Sequence, residues 1–314
     1  MILANVCIVG AGAVGILVAD GLSRTLGKDH VRILADSERT ERYIKDGLLL
    51  NGKRMDFNYV SFEQNRFLPK VDLVIIATKN PQLHEVVDGL NGQIAPGCII
   101  MSLLNGIVSE DILQSAFAQA HVLLCFAKGL DSERVGNRIT CTARGETFAG
   151  EKDGSMSAEL EAVHSLFVRC GLGIQTPPDI LHELYSKFAL NCAINTVSAI
   201  CNAGYGDFFG CSSLEHLIDG VFSEVQAVSL AHAGVRLLYD EWKRTKAMIS
   251  SLSYEGKTSM LQDMQAPRPT ENAWFCGTVC ELGKRYGIPT PFCHVLYLAA
   301  DGCEFTHLRR FRKQ

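Results

Sequence analysis

The run Val6-Cys7-Ile8-Val9-Gly10-Ala11-Gly12-Ala13-Val14-Gly15 reads as a strand, a tight turn and the start of a helix. Four apolar residues without a polar break fit a strand buried on both faces. The glycines keep the G-x-G-x-x-G spacing that opens a dinucleotide-binding β-α-β unit. Gly10 permits the turn, Gly12 lets the backbone approach a pyrophosphate, and Gly15 lets helix and strand pack closely. The phosphates then meet backbone N–H groups at the positive end of a helix dipole. Such a pattern is weak alone, and here its context strengthens it. An amphipathic stretch runs from Ala13 to about Leu26, and a second apolar run, Val31–Ala35, ends at Asp36. Gly10, Ala11, Gly12, Ala13, Val14 and Gly15 are therefore the expected cofactor cradle. A carboxylate at Asp36 suits adenosine ribose hydroxyls and favours NAD(H), whereas Arg39 suits a 2′-phosphate and NADP(H). Both cofactors stay open on these residues.

Further runs follow at Val71–Ala77, Cys98–Leu103 and Val122–Phe126, each rich in Val, Ile and Leu and separated by helical stretches. That alternation predicts a parallel, doubly wound sheet. Residues Arg138–Gly150 read as a further strand pair turning at Arg144-Gly145-Glu146. Ligands of such sheets bind beyond the carboxyl ends of the strands. Lys79 and Asn105 stand at two of those ends and are candidates for the cofactor or substrate.

At Thr176-Pro177-Pro178-Asp179 the character changes. Two prolines stop a helix, and Asp179 can cap the next one. Beyond it, 180–203, 212–234, 237–251 and 270–286 read as helices. The predicted architecture is α/β: a Rossmann-type doubly wound sheet over 1–176 and an all-helical substrate and catalytic domain over 177–314. A chain of 314 residues suits two domains of roughly 150 residues each.

The net charge of −4, with both signs mixed, argues against nucleic acid as a partner. The basic tail His307–Lys313 reads as a solvated terminus. No apolar run reaches about 18 residues, so no membrane span is expected, and no secretory leader is evident. Twelve cysteines are scattered without CxxC spacing, so no metal site is expected. Cys7, Cys98, Cys125, Cys192 and Cys201 sit in apolar stretches, as core thiols do. This usage suits a reduced, cytoplasmic protein.

The helix from 180 onward is apolar around most of its circumference, yet Lys187, Asn191, Asn195, Ser198 and Asn202 recur at helical spacing. A lysine and three amides on a buried helix are costly without partners. A stripe lining a wet cleft resolves that cost. Further on, Lys257-Thr258-Ser259-Met260-Leu261-Gln262-Asp263 and Arg268-Pro269-Thr270-Glu271 offer Ser259 and Glu271 as polar candidates. On a plain structural reading, Ser259 and Thr270 cap helices, with Glu271 in a first turn.

Together these segments resemble the ketopantoate reductases (2-dehydropantoate 2-reductases) over nearly the whole chain. The glycine motif is shared with many families. Leu103-Leu104-Asn105-Gly106 is more specific, and Lys187-x3-Asn191-x3-Asn195 with Ser259-Met260-Leu261-Gln262-Asp263 and Thr270-Glu271 is the most specific. The resemblance implies NADP(H)-dependent reduction of 2-dehydropantoate to pantoate, a step of pantothenate biosynthesis. It implies that Lys79 and Asn105 contact nucleotide and substrate, and that Lys187 donates the proton. Asn191, Asn195 and Ser259 would hold the substrate's hydroxyl and carboxylate, and Glu271 would lie beside Lys187 and the cofactor as a second catalytic residue.

The chain departs from the family pattern at Asp36, Tyr205, Gly256, Asn272-Ala273 and Cys276-Gly277. Those departures keep a second reading open, a reductase of another 2-oxo acid or ketone. A third reading, from another class, is a non-catalytic NADP(H) sensor. A homodimer is compatible with all three.

Overall fold

The computed structural model describes residues 2–266 and 268–311, apart from the side chains of Arg310 and Phe311. The chain divides into two compact units, Met1–Ile180 and Leu181–Gln314.

In the first unit β1 (Val6–Val9), α1 (Ala13–Leu26), β2 (Val31–Ala35) and α2 (Ser37–Asp46) follow the expected order. Next come β3 (Leu48–Leu50), β4 (Lys53–Met55), β5 (Asn58–Ser61), α3 (Phe62–Asn65), β6 (Leu73–Ile76), α4 (Leu83–Leu90), β7 (Ile99–Ser102) and α5 (Ser109–Ala116). The unit closes with β8 (His121–Val135), β9 (Arg138–Gly150), α6 (Ala158–Arg169) and β10 (Ile174–Gln175). Strands lie in the order β4-β3-β9-β8-β7-β6-β1-β2-β5. The stretch from β8 to β5 is parallel throughout. The sheet is mixed because β8 and β9, and β3 and β4, pair antiparallel.

Strand order reverses between β1 and β6, so the crevice for a ligand opens at the carboxyl ends of those two strands. Successive residues serve two cores. Val6, Ile8, Leu73, Ile75, Ile99 and Met101 face one. Cys7, Val9, Val74, Ile76 and Ile100 face the other. Burial on both faces is why these strands show no polar alternation. Truncating Ile8 or Ile75, both at 0% exposure, to alanine would cost about 2–5 kcal/mol.

The strand pair expected around Arg144-Gly145-Glu146 is corrected. Gly145 lies inside β9, and the chain reverses at Gly136-Asn137 between two long strands. A positive φ of 63° at Gly145 made that site look like a turn. It faces the strand partner closely instead: a Cβ there would lie 2.5 Å from Lys128 O.

The second unit is helical: α7 (Ile180–Leu190), α8 (Thr196–Cys201), α9 (Ser212–Ala233), α10 (Tyr239–Ser250), α11 (Ser259–Gln265), α12 (Cys276–Tyr286) and α13 (Pro291–Phe311). The helix expected over 270–286 is a short turn, Asn272–Trp274, followed by α12. α11 and α13 were not read from the sequence. Between α7 and α8 the residues Asn191–Asn195 form a π-helical segment, buried along its whole length. Among the described residues no helix is long and apolar enough to cross a membrane. Cys7, Cys98, Cys125 and Cys192 are buried as expected, but Cys201 is exposed at the end of α8. From Arg310 onward the basic tail lies outside the described side chains; Arg309 is exposed on α13.

Candidate active site

In the first unit the glycine turn is built as its spacing requires. Gly10 has φ +102°, and a Cβ there would sit 2.8 Å from Ala77 O, at the end of β6. A Cβ on Gly15 would lie 2.2 Å from Gly10 O. These two glycines let turn, helix and β6 close on one another. Gly12 meets only an ordinary contact of 3.5 Å, so its missing side chain leaves room on the outer side instead. It is the N-cap of α1 and makes no side-chain cap hydrogen bond. Beside Gly10 the Thr78 hydroxyl is shielded from solvent and bonded to nothing within the described residues. A cradle of close backbone, an uncapped helix start and an orphaned hydroxyl fit the pyrophosphate of a dinucleotide.

Sequence reasoning missed one cation at this turn. The Arg134 guanidinium, on β8, donates to Ala11 O and to Gly136 O (2.9 Å), and lies 5.7 Å over the Tyr43 ring. Arg134 and Ala11 are 123 residues apart, so no local pattern links them.

Asp36 caps α2, accepting the Arg39 N–H at 2.7 Å. Its other carboxylate oxygen is 3.1 Å from the Arg39 guanidinium. The two residues between which the cofactor reading was divided therefore hold each other. Lys79 is exposed just beyond β6, and Asn105 is half-buried just beyond β7. Asn80 Nδ2 donates to Asn105 O at 2.8 Å, tying those two strand ends together. A cavity of about 600 Å³ lies elsewhere, where β2 and β5 begin, lined by Lys28, Tyr43, Arg54 and Asp56. None of the expected site residues borders it.

In the second unit Lys187 is half-buried in the last turn of α7, one turn ahead of the π segment. Asn191 and Asn195 are 4% and 7% exposed. Asn195 Nδ2 bridges Asn191 Oδ1 (3.2 Å) and Ser259 Oγ (3.5 Å). The Asn191 amide nitrogen is buried and has no partner among the described residues. A buried, unmatched donor is costly, and π segments recur at functional sites. Burial raises the Cys192 thiol well above its usual pKa, so the sulfur in this segment is a neutral core atom and no nucleophile.

The lower half of the expected stripe is corrected. Ser198 is fully buried, donating to Ala203 O (2.6 Å) and accepting from Thr258 (3.1 Å). Asn202 is exposed at the helix end with φ +52° and bonds Gln265. Asn195, Ser198 and Asn202 all meet the 258–265 segment, so the stripe keeps to one side, but beyond Asn195 it is spent on packing and an exposed helix end and lines no cleft. The helix cap is Thr258, whose hydroxyl accepts from Leu261 N. Ser259 is thus exposed on the first turn of α11. Thr270 caps no helix; its N–H and hydroxyl both donate to Glu304. Glu271 is 3% exposed at the start of the 272–274 turn.

Two departures from the family pattern prove to be one feature. Tyr205 N donates to Gly256 O at 3.0 Å. A Cβ at position 256 would lie 2.7 Å from the Tyr205 ring. The tyrosine occupies space that any side chain at 256 would need.

Comparisons with known proteins place the chain in a family. A model of the family described as ketopantoate reductase PanE/ApbA matches residues 6–154, and its C-terminal counterpart matches 179–304. The 2-dehydropantoate 2-reductase of Archaeoglobus fulgidus is 27% identical, over 96% of this chain and 98% of its own. An uncharacterised oxidoreductase of Bacillus subtilis is also 27% identical, over 92% and 95%. A solved PanE/ApbA family ketopantoate reductase from Ralstonia eutropha superposes with a TM-score of 0.83 at 24% identity, covering 96% and 99%. A D-mandelate dehydrogenase, solved with NADH and anilino(oxo)acetate, does so with a TM-score of 0.84 at 21% identity, covering 96% and 99%.

Proposed function

This chain belongs to the ketopantoate reductase family of oxidoreductases, and from that premise we propose that it reduces the keto group of a small 2-oxo acid, with 2-dehydropantoate as the first candidate. The observation that carries the reading is the Asn191–Asn195–Ser259 cluster on the π segment one turn beyond Lys187. Its spare, buried amide donor asks for an acceptor that the described residues do not supply.

A reduced nicotinamide, when bound, supplies the hydride. Gly10 to Gly15 and the start of α1 would hold its pyrophosphate, with Lys79 and Asn105 farther along the same strand ends. Reduction of the carbonyl would leave negative charge on its oxygen. The Lys187 ammonium stabilises that charge and delivers the proton, a contribution of roughly 10²–10⁴-fold. Asn191, Asn195 and Ser259 fix the substrate's carboxylate and hydroxyl, and the buried Glu271 is the second catalytic residue of the scheme.

On the cofactor, the family resemblance implies NADP(H). The Asp36 geometry favours NAD(H): its carboxylate would repel a 2′-phosphate, and Arg39 is already turned onto it. NAD(H) is the reading adopted here. Substrate choice rests on the same footing. The Tyr205 ring fills the space above Gly256, which favours a 2-oxo acid whose shape differs from that of 2-dehydropantoate as the alternative. Neither nucleic acid nor membrane enters the scheme. The twelve free cysteines support a reduced, cytoplasmic setting, and a homodimer is the assembly we would test first.

Lys187→Ala in purified protein tests the mechanism. Turnover should fall about 10²-fold or more while nucleotide affinity stays near normal. Near-normal turnover would remove Lys187 from the reaction. Rates with 2-dehydropantoate against a panel of 2-oxo acids, each with NADH and NADPH, test substrate and cofactor together. Nucleotide binding without oxidation by any 2-oxo acid would favour a sensor instead.

A further inference from the structure

Behind the Asn105 loop lies a buried acid that the proposed chemistry does not use. Glu110, in the first turn of α5, is 5% exposed. Ser109 Oγ donates to its Oε2 at 2.8 Å. Ser109 Oγ is also 2.8 Å from Ser102 Oγ, at the end of β7, and either hydroxyl can be the donor. Ser102 Oγ in turn accepts the Leu104 N–H at 3.4 Å, one residue before Asn105. Two hydroxyls therefore connect an ionisable carboxyl to the backbone of the loop that carries a proposed nucleotide contact.

We propose that Glu110 is a positioning residue: as a carboxylate it holds Leu104 and Asn105, through Ser109 and Ser102, in the conformation that receives the cofactor. The inference rests on the reading of Asn105 as a nucleotide contact.

The polarity of the relay explains the dependence on charge. With Glu110 ionised, Ser109 donates to it, Ser102 donates to Ser109, and Leu104 N–H donates to Ser102. Every hydroxyl then gives one hydrogen bond and receives one. A proton on Glu110 weakens its oxygens as acceptors and lets the chain run the other way. Glu110 then donates to Ser109 and Ser109 to Ser102, whose oxygen can accept this bond and the Leu104 N–H together, but the Ser102 proton is left to find another acceptor in a largely apolar core. A buried polar network satisfied in only one direction loses its hold in the other.

The switch falls in a useful range. Burial pushes the Glu110 carboxyl up to about 7, against the opposing pull of hydrogen bonds from Ser109 and from the backbone N–H groups of Glu110 and Cys125. The neighbouring charge on its own helix is Asp111, which raises it further. From β7 the facing groups are the Ser102 hydroxyl and carbonyl, and from β8 the Cys125 thiol, which donates to Ser102 O at 3.0 Å. From α4 the core-facing residues are Leu83, Val86 and Leu90, with Glu85 and Asp88 exposed.

The test uses the full chain and the isosteric variant Glu110→Gln, with NADH and NADPH as probes. Dissociation constants would be measured at about pH 8.5 and about pH 5.5, on either side of the switch. Taking the ratio of variant to wild type cancels titration of the nucleotide itself. The expected ratio is about threefold or more at the high pH, the scale of one modest hydrogen bond, and about one at the low pH. Ser109→Ala, which cuts the relay without touching the acid, should give the same pattern and serves if the glutamine variant folds poorly. A ratio that does not change with pH in either variant would overturn the proposal, because a merely structural role gives a constant offset. Wild-type protein that binds neither nucleotide would overturn the functional reading, and this inference with it.

Discussion

Replacing Asp36 with asparagine should convert cofactor preference without loosening the fold. Asp36 does two things: one oxygen caps α2 by accepting Arg39 N–H at 2.7 Å, and the other holds the Arg39 guanidinium at 3.1 Å. Asparagine caps a helix about as well as aspartate. The ion pair it loses joins side chains 37% and 45% exposed, and pairs so exposed contribute about 0–1 kcal/mol. Stability should therefore move by less than about 1 kcal/mol, whereas Asp36→Ala, which also removes the cap, should lose about 1 kcal/mol more. Cofactor choice should respond more strongly. Removing the carboxylate takes away a like charge from a 2′-phosphate at the end of β2 and frees Arg39 to meet it. For charges several ångströms apart near a surface, that is on the order of 1–2 kcal/mol, or about five- to thirtyfold. The assay is kcat/KM with NADPH divided by kcat/KM with NADH, for wild type and Asp36→Asn, beside urea unfolding of both. An unmoved ratio would refute the assignment of Asp36 to the ribose. A ratio that rises together with a large loss of stability would refute the separation of its two roles.

Three further outcomes follow from close contacts. Gly15→Ala places a methyl 2.2 Å from Gly10 O, so the turn must shift by about 1 Å; a loss of roughly 1–3 kcal/mol is expected by thermal unfolding, with nucleotide affinity reduced. Wild-type affinity in that variant would mean the phosphates do not sit on this turn. Arg134→Met removes a charged hydrogen bond to Ala11 O and should weaken nucleotide binding about tenfold, read by fluorescence titration; an unchanged constant would show that the turn keeps its shape alone. Gly256→Asn should destabilise by about 1–3 kcal/mol, because its Cβ would lie 2.7 Å from the Tyr205 ring and 2.9 Å from Ser253 O. Adding Tyr205→Ala should recover part of that loss, and strict additivity of the two changes in a double-mutant cycle would deny that the positions compete for space.

The parts of this protein that were legible in sequence are those whose geometry is local. The four apolar residues of β1, the three glycines and the helix after them must meet one another within ten residues, so their spacing states their contacts. Lys187, Asn191 and Asn195 were legible for the same reason, being one turn apart. The stripe misled below Asn195 because spacing does not tell a cleft-lining polar group from one that packing satisfies, as Ser198 is by Ala203 and Thr258. Nothing in Asn191-Cys192-Ala193-Ile194-Asn195 announces the extra width of its π turn. Thr258 and Ser259 are adjacent hydroxyls, and only the chain direction at the start of α11 makes the first the cap and leaves the second facing outward.

By itself the sequence determined the doubly wound sheet, the glycine cradle at its switch point, the helical second unit and the family. Short apolar runs without alternation fit strands buried on both faces, and three glycines at that spacing, between such a strand and a helix, fit a phosphate-binding turn. Tertiary structure alone decided what comes to these places from far along the chain. Arg134 reaches Ala11 across 123 residues, Tyr205 fills the space over Gly256, and Ser259 closes on Asn195 across 64. Each of these contacts depends on the path of the backbone between its partners. Side-chain spacing fixes a contact only within one element; between elements, packing of the whole core fixes it.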